Sequence, residues 1–416
     1  MTLFYKAGIF IYSILIRLFS LFNEKARLFV QGRKNWEENL AQKIDGKSKY
    51  IWFHCSSLGE FEQGRPVIEE LKQKFPAYKI VLTFFSPSGY EIRKNYPLAD
   101  VVAYLPLDTK RNAKTFLEIV KPEKAFFVKY EFWYFYISEL KRKNIPLYIV
   151  SAIFRENQQF FKNTPWGKWY RKILFKVEHL FVQNEKSGEL LKSIGLSNFT
   201  VTGDTRFDRV AAIARDSKKL PIVEKFKGNS LLIVAGSTWK PDEELLAAFI
   251  NENVGLKFII AAHEVSAANI NRIHGLLKKP AISFSKVTES EIDKYDVLVI
   301  DSVGLLSSLY RYGEIAYIGG GFGVGIHNIL EAATFGLPVV FGPNYKRFKE
   351  AVDLIFEGGA FSISDAGELR QSLTTLIDHE NKRKIASQIC SNYVAKNVGS
   401  TILIVNKVFN IATVLV

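Results

Sequence analysis

The sequence predicts an α/β protein made of two doubly wound halves facing a central cleft, preceded by an apolar N-terminal helix. Three observations predict it. From about residue 50 onward, short apolar runs bounded by Gly, Pro, Ser, Asn or Asp alternate with stretches of helical spacing. That alternation gives a parallel sheet covered by helices on both faces. The series occurs twice, on either side of a polar, Lys-rich stretch containing Pro221 and Gly228. Ahead of both lies LFYKAGIFIYSILIRLFSLF, from Leu3 to Phe22, in which only Lys6 and Arg17 are charged.

Residues 1–25 are expected to be a membrane-anchor helix. A spanning helix needs ~20 apolar residues, which this run supplies only if Lys6 and Arg17 snorkel to the interface. An interfacial helix and a buried first helix of a globular domain are the other forms open to it. It lacks the basic start and small-residue cleavage site of a secretory signal. Lys25, Arg27, Arg33 and Lys34 follow, and by the positive-inside rule they hold the remainder on the cytoplasmic side.

The first half spans residues 26–210. Its strand-like runs are KYIWFHC, KIVLTFF, VVAYLPL, KAFFVKY, LYIVSA, HLFVQN and NFTVTGD. Residues 211–228 read as a linker. The second half, 229–395, repeats the pattern with SLLIVAGS, LKFIIAAH, DVLVID, EIAYIGG and LPVVFG. Residues 396–416 read as an apolar helix crossing back to the first half. In such folds the ligand site lies at the carboxyl ends of the strands.

Composition removes several function classes. Of 416 residues, 48% are hydrophobic and 24% charged, which excludes wholesale disorder. Two cysteines, Cys55 and Cys390, exclude a disulfide scaffold and suit a reducing compartment. No later stretch approaches ~18 uninterrupted apolar residues, so the chain is not polytopic. The net charge of +14 favours an anionic partner: a phosphorylated substrate, an anionic membrane or nucleic acid. No basic helix or RNP-like strand stands out, so nucleic acid is not expected. The six histidines show no HxH or HExxH spacing, and no metal is expected.

In the second half, IAYIGGGFGVGIHNILEAATFGLPVVFGP is the densest signal. A strand ends in Gly319-Gly320-Gly321 and leads to a helix expected near Asn328. Glycines bring backbone amides close to a ligand, and a helix N-terminus adds about half a positive charge. Asn328 and Glu331 share one face of the first turn. Glu331 can accept two hydrogen bonds from a ribose diol, or can simply complete a capping box with Asn328. Gly236-Ser237-Thr238-Trp239 precedes a helix opening with Pro241, Asp242, Glu243 and Glu244. Ser237 and Thr238 suit a phosphate at a helix start, or plain N-capping. Asp301 to Leu306 forms a third loop, and His263 and His327 lie on loops of the same half.

In the first half, His54-Cys55-Ser56-Ser57-Leu58-Gly59-Glu60 turns from strand to helix. Glu60 is placed as a general base for an attacking hydroxyl, or as a carboxylate complementing the helix dipole. Cys55 suits packing better than nucleophilic work. Glu131 ends another strand and is followed by Phe132 to Tyr136, an aromatic cluster that is either core or a surface for acyl chains and sugars. Arg206 and Asp208 near the junction suit an anionic ligand or a salt bridge.

Together and in order, these segments resemble the 3-deoxy-D-manno-octulosonic acid (Kdo) transferase family of lipopolysaccharide synthesis, over nearly the whole chain. The matching positions are His54 to Glu60 (H-x-x-S-x-G-E), Ser86-Pro87-Ser88-Gly89, Glu131 with Trp133, Thr202-Gly203 with Phe207-Asp208, Gly236-Ser237-Thr238, and His327-Asn328 with Leu330-Glu331. The resemblance implies a GT-B architecture and an inverting, metal-free transfer without cofactor. It implies CMP-Kdo as donor and a lipid A precursor, lipid IVA, as acceptor, at the cytoplasmic face of the inner membrane. It implies Glu60 as catalytic base. Donor-binding residues would be Gly236, Ser237, Thr238, His263, Gly304, Leu305, Leu306, Asn328, Ile329, Leu330 and Glu331. Sugar or acceptor contacts would come from Ser57, Gly59, Glu131, Arg206, Gly321 and His327.

The chain departs from the family pattern at four places. Ala261-Ala262-His263-Glu264 stands for Pro-Arg-His-Pro, Leu305 for a Glu, Phe135 for an Asn, and Ile326 for a Gly before His327. Two other readings stay open at this point. One is a GT-B enzyme using a different nucleotide sugar, such as a UDP-sugar transferase or epimerase. The other is a non-catalytic, membrane-tethered binding protein.

Overall fold

The computed structural model describes residues 1–411. The end of the C-terminal helix expected over 396–416 therefore lies outside the described residues. The chain folds as two compact units, Met1–Arg209 together with the segment from Gly399 onward, and Val210–Val398. Among the described residues, each unit is built on one seven-stranded sheet.

The first unit contains β1 (Tyr50–Cys55), β2 (Lys79–Phe84), β3 (Val101–Tyr104), β4 (Lys124–Val128), β5 (Leu147–Ala152), β6 (His179–Val182) and β7 (Phe199–Val201). They pair in the order β3-β2-β1-β4-β5-β6-β7, every neighbour parallel. The strands are continuous apolar runs because helices cover both faces. Ile51, Trp52 and Phe53 on β1 are fully buried, as are Phe126 and Phe127 on β4.

The second unit contains β8 (Leu232–Thr238), β9 (Lys257–Ala262), β10 (Ala281–Ser283), β11 (Val297–Ile300), β12 (Ile315–Ile318), β13 (Val339–Phe341) and β14 (Ala360–Ser362). Their order is β10-β11-β9-β8-β12-β13-β14, again all parallel. Strand order reverses between β1 and β4 in one unit and between β8 and β12 in the other. At such a switch point the adjacent crossovers diverge and leave a crevice at the strands' carboxyl ends.

Several elements differ from expectation. The stretch read as a linker is helical: helix Arg206–Arg215 begins before it and helix Pro221–Lys227 follows. The C-terminal helix expected over 396–416 starts a little later, at Ser400. Helix Glu380–Asn397 stops at Val398, Gly399 adopts φ +118°, and helix Ser400–Val408 begins. Its Ile404, Val405 and Val408 join the core cluster of Phe61, Val67 and Ile68 from helix Leu58–Lys74. Arg33, expected among the charges outside a membrane, is internal. Its guanidinium donates to the carbonyls of Leu105 (2.8 Å), Phe29 (2.9 Å) and Phe85 (2.7 Å) and lies 3.6 Å from the Phe29 ring centroid. Burial lowers its pKa to about 10.

Candidate active site

In the first unit, β1 ends at Cys55 and the chain turns through Ser56 and Ser57 into helix Leu58–Lys74. Ser57 is the N-cap, and Glu60 sits at the third helical position of a capping box. The Ser57 amide donates to Glu60 Oε2 at 3.0 Å, and the Ser57 hydroxyl donates to the same oxygen. Gly59 is exposed beside them. The structural role considered for Glu60 is thus present, yet it occupies one carboxylate oxygen and leaves Oε1 without a hydrogen bond among the described residues.

Across the switch point, β4 ends at Val128 and Lys129 takes φ +59°, an unusual backbone for a side chain of this size. The turn delivers Glu131, which is 8% exposed. Its Oε2 accepts from Trp133 Nε1 at 2.7 Å and lies 3.2 Å from His54 Nε2. His54 is fully buried, with Nδ1 2.9 Å from Thr83 Oγ1. The Thr83 hydroxyl in turn accepts from Trp52 Nε1 at 2.8 Å. Glu131 is therefore fixed through a chain of side chains rooted in β1 and β2. Both Glu60 and Glu131 bear on Cys55, whose thiol is pushed well up, first by burial and then by these carboxylates. A buried, protonated thiol is no nucleophile.

The aromatic run after Glu131 resolves mostly as core, with Phe132, Phe135 and Tyr136 buried. Arg206 pairs with Asp204, Nε to Oδ2 at 2.9 Å, and Asp204 also accepts from Gln63 Nε2 at 2.9 Å. Asp208 caps helix Ser400–Val408, accepting from the amides of Gly399 (2.6 Å) and Thr401 (2.8 Å).

In the second unit, β8 runs through Gly236 and Ser237 to Thr238, so these residues end a strand and do not form a loop. Ser237 has φ +53°, and the pairing with β9 slips there. A Cβ on Gly236 would collide with the Tyr310 hydroxyl and lie 2.9 Å from a Leu306 methyl, so this glycine makes room for packing. Thr238 is buried, and its hydroxyl donates to Glu243 at 2.9 Å. That side chain is committed to the fold, because the buried Glu243 carboxylate needs donors and takes Thr238 and Arg272.

β12 leads into Gly319-Gly320-Gly321. Gly319 packs on the Ser237–Thr238 backbone and Gly321 on Gly342, whose Cα would lie 2.6 Å from an added Cβ. Asp242, buried in the first turn of helix Lys240–Glu252, ties this loop to β8. It accepts from the amides of Trp239 and Gly320, each at 2.9 Å, and from the Tyr317 hydroxyl at 2.8 Å. The helix opening was legible, but this cross-link was not.

Beyond the glycines, the helix expected from Asn328 is a single turn, Leu330–Ala333. Asn328 Oδ1 accepts from the Leu330 amide at 3.2 Å, and Asn328 Nδ2 donates to Glu331 Oε1 at 3.1 Å. Ile329 and Leu330 are buried, so only their backbone can meet a ligand. Gly304 is exposed with φ +92°, and Leu305 and Leu306 are half-buried beside it.

His263 and His327 stack with ring centroids 4.3 Å apart, and Trp239 covers His263 at 4.6 Å. Trp239 Nε1 donates to His327 Nε2 at 2.9 Å. Burial, then the neighbouring His263, lowers His327 to about 4, so its ring is neutral near pH 7 and carries its proton on Nδ1. Among the described residues, no group of three His, Cys, Asp or Glu is arranged to hold a metal.

Two seven-stranded parallel sheets, each with its candidate segments at a switch point, define a GT-B fold. The UDP-GlcNAc 2-epimerase of Neisseria meningitidis, solved with UDP-GlcNAc, shares this fold with a TM-score of 0.61 over 87% of this chain and all of that one, at 17% identity. Residues 34–209 match the family described as 3-deoxy-D-manno-octulosonic-acid transferase (kdotransferase). Over 344 residues the chain is 29% identical to the 3-deoxy-D-manno-octulosonic acid transferase of Aquifex aeolicus, covering 80% of this chain and 88% of that protein. It is 24% identical to the Chlamydophila psittaci enzyme of the same name, covering 82% and 80%. The first unit thus matches the Kdo transferase family over residues 34–209, and the chain as a whole is similar to glycosyltransferases of that name.

Proposed function

We propose that this enzyme transfers Kdo from CMP-Kdo to a lipid A precursor, lipid IVA, with inversion at the anomeric carbon, at the cytoplasmic face of the inner membrane. The observation that carries the reading is Glu60, held through Oε2 alone in a segment matching the family's H-x-x-S-x-G-E. Oε1 takes the proton from an acceptor hydroxyl as that oxygen attacks the anomeric carbon. The bond to the CMP phosphate breaks, and CMP leaves with the electron pair. Glu131, fixed by Trp133 and His54, orients sugar hydroxyls, with Ser57, Gly59, Arg206, Gly321 and His327 as the other sugar or acceptor contacts.

The donor belongs to the second unit. Glu331, aligned by Asn328, accepts from the ribose diol. Backbone amides of Ile329, Leu330 and the Gly304–Leu306 turn serve the phosphate, as amides at turns and helix starts do. His263 offers a neighbouring ring nitrogen. Gly236 and Thr238 act through the backbone, with Ser237 beside them. No cofactor enters this scheme. The net charge of +14 suits a phosphorylated lipid acceptor and an anionic membrane.

The test is incubation of full-length protein with freshly generated CMP-Kdo and tetraacylated lipid A precursor, read by mass spectrometry of the lipid. Added Kdo mass supports the reading. Unmodified lipid, with intact donor and folded protein, overturns it.

A further inference from the structure

Helix Thr2–Phe19 carries two faces that the sequence alone does not separate. Its half-buried positions are Thr2, Tyr5, Ile9, Ser13 and Ile16, spaced by three and four, hence one stripe. This stripe lies on the first unit. Tyr5 donates its hydroxyl to the buried Asp108 at 2.6 Å. Its ring sits 5.7 Å from those of Tyr134 and Phe135 and 5.9 Å from Trp169. One turn past Ile9, Tyr12 packs on Phe29 at 6.0 Å and Phe85 at 6.3 Å.

The opposite face is apolar and open: Leu3 is 76% exposed, Phe4 70%, Ile11 55%, Leu15 58% and Leu18 56%. Lys6 and Arg17 stand eleven residues apart, about three turns at 3.6 residues per turn. They therefore share one edge, at the border between the docked stripe and the open face. Exposed Lys25 and Arg27 follow. Beside Tyr5, helix Pro165–Arg171 adds half-buried Trp166 and Trp169 with exposed Lys168. Cations and Trp bordering an apolar face are the makings of a lipid headgroup boundary.

We propose that helix Thr2–Phe19 lies in the plane of an anionic bilayer surface, its open face sunk into the acyl boundary, and does not cross the bilayer. A crossing helix would be wrapped by lipid on all sides, and would draw the protein packed along its docked stripe, from Tyr5 on Asp108 to Tyr12 on Phe29 and Phe85, into hydrocarbon, at a heavy desolvation cost. In the plane, the docked stripe keeps its protein contacts, and Lys6 and Arg17 sit at headgroup height. The proposal rests on the enzyme working at a membrane and specifies how it does so.

The experiment uses full-length protein with single fluorophores on L3C, I11C or L18C, three exposed positions along the open face. Vesicles of phosphatidylethanolamine and phosphatidylglycerol carry nitroxide quenchers at shallow or deep acyl positions. The expected result is shallow quenching several-fold stronger than deep quenching, equal at all three sites. Removing both edge cations (K6Q with R17Q) weakens vesicle binding at least ~10-fold. Deep quenching at Ile11 with shallow quenching at the two ends means a spanning helix and overturns the proposal. No quenching anywhere overturns it too; a doubled mass in that case assigns the face to a second copy of the chain. Kdo transfer to detergent-dispersed acceptor, measured on the same preparations, keeps the two questions apart: shallow quenching without transfer sinks the catalytic reading alone.

Discussion

Ser57 gives both its amide and its hydroxyl to a single oxygen of Glu60. One carboxylate is thereby asked to cap a helix with Oε2 and to do chemistry with Oε1. The two duties respond differently to substitution, and that separates them.

Glu60→Gln keeps a side chain that capping boxes accept but loses the base. Turnover should fall at least ~100-fold, the low end for general-base loss, with donor affinity and melting temperature little changed. Ser57→Ala should instead cost about 1 kcal/mol of stability, as N-cap losses do. Equal turnover of wild type and Glu60→Gln, by steady-state kinetics, would remove Glu60 from the chemistry.

Gly236→Ala places a methyl group against the Tyr310 hydroxyl and Leu306. Overpacking of this kind costs about 1–3 kcal/mol. Adding Tyr310→Phe should return part of that loss in urea unfolding, because the hydroxyl is the nearest obstacle. An additive double mutant would mean the strain lies elsewhere.

Asp242→Ala leaves three donors without this acceptor: the buried Gly320 amide and Tyr317 hydroxyl, and the part-buried Trp239 amide. At about 1–3 kcal/mol for each buried unsatisfied group, the unit should lose at least ~2 kcal/mol. CMP affinity, measured by calorimetry, should weaken with it, since the Gly-rich loop loses its tie to β8.

The pH dependence follows from His327 and His179, both lowered to about 4 by burial. Each is neutral in the fold, whereas the unfolded chain titrates near the ordinary value of about 6.5. Below that value the unfolded state binds more protons, so their contribution to stability is complete above pH ~6.5 and is lost as pH falls towards about 4. Thermal melts between those limits should show the decline, and His327→Gln should flatten it. A slope unaltered by His327→Gln would assign the titration to other groups.

Most strands were readable because each is a continuous apolar run, as in KYIWFHC and SLLIVAGS. β10 (Ala281–Ser283) and β14 (Ala360–Ser362) were not, since three-residue edge strands with polar ends carry no periodicity. The segments of the candidate site were legible as strand-end turns. Their side-chain commitments were less so. Glu60's capping box follows from local spacing and was foreseen as an alternative. The bonds of Thr238 to Glu243 and of Asp242 to Gly320, and the stacking of Trp239, His263 and His327, depend on which turns the sheet order brings side by side. Spacing along the chain holds no trace of that order.

The return of the chain at Gly399 has a consequence for biosynthesis. The residues that complete the first unit's core, Ile404, Val405 and Val408, leave the ribosome only after the whole of Val210–Val398. At ~5–20 residues per second that intervening stretch takes on the order of ten to forty seconds. Until then Val67 and Ile68 of the first unit lack their covering helix, and Asp208 lacks the amides it caps. The nascent first unit therefore waits with part of its core uncovered until the second unit has been synthesised.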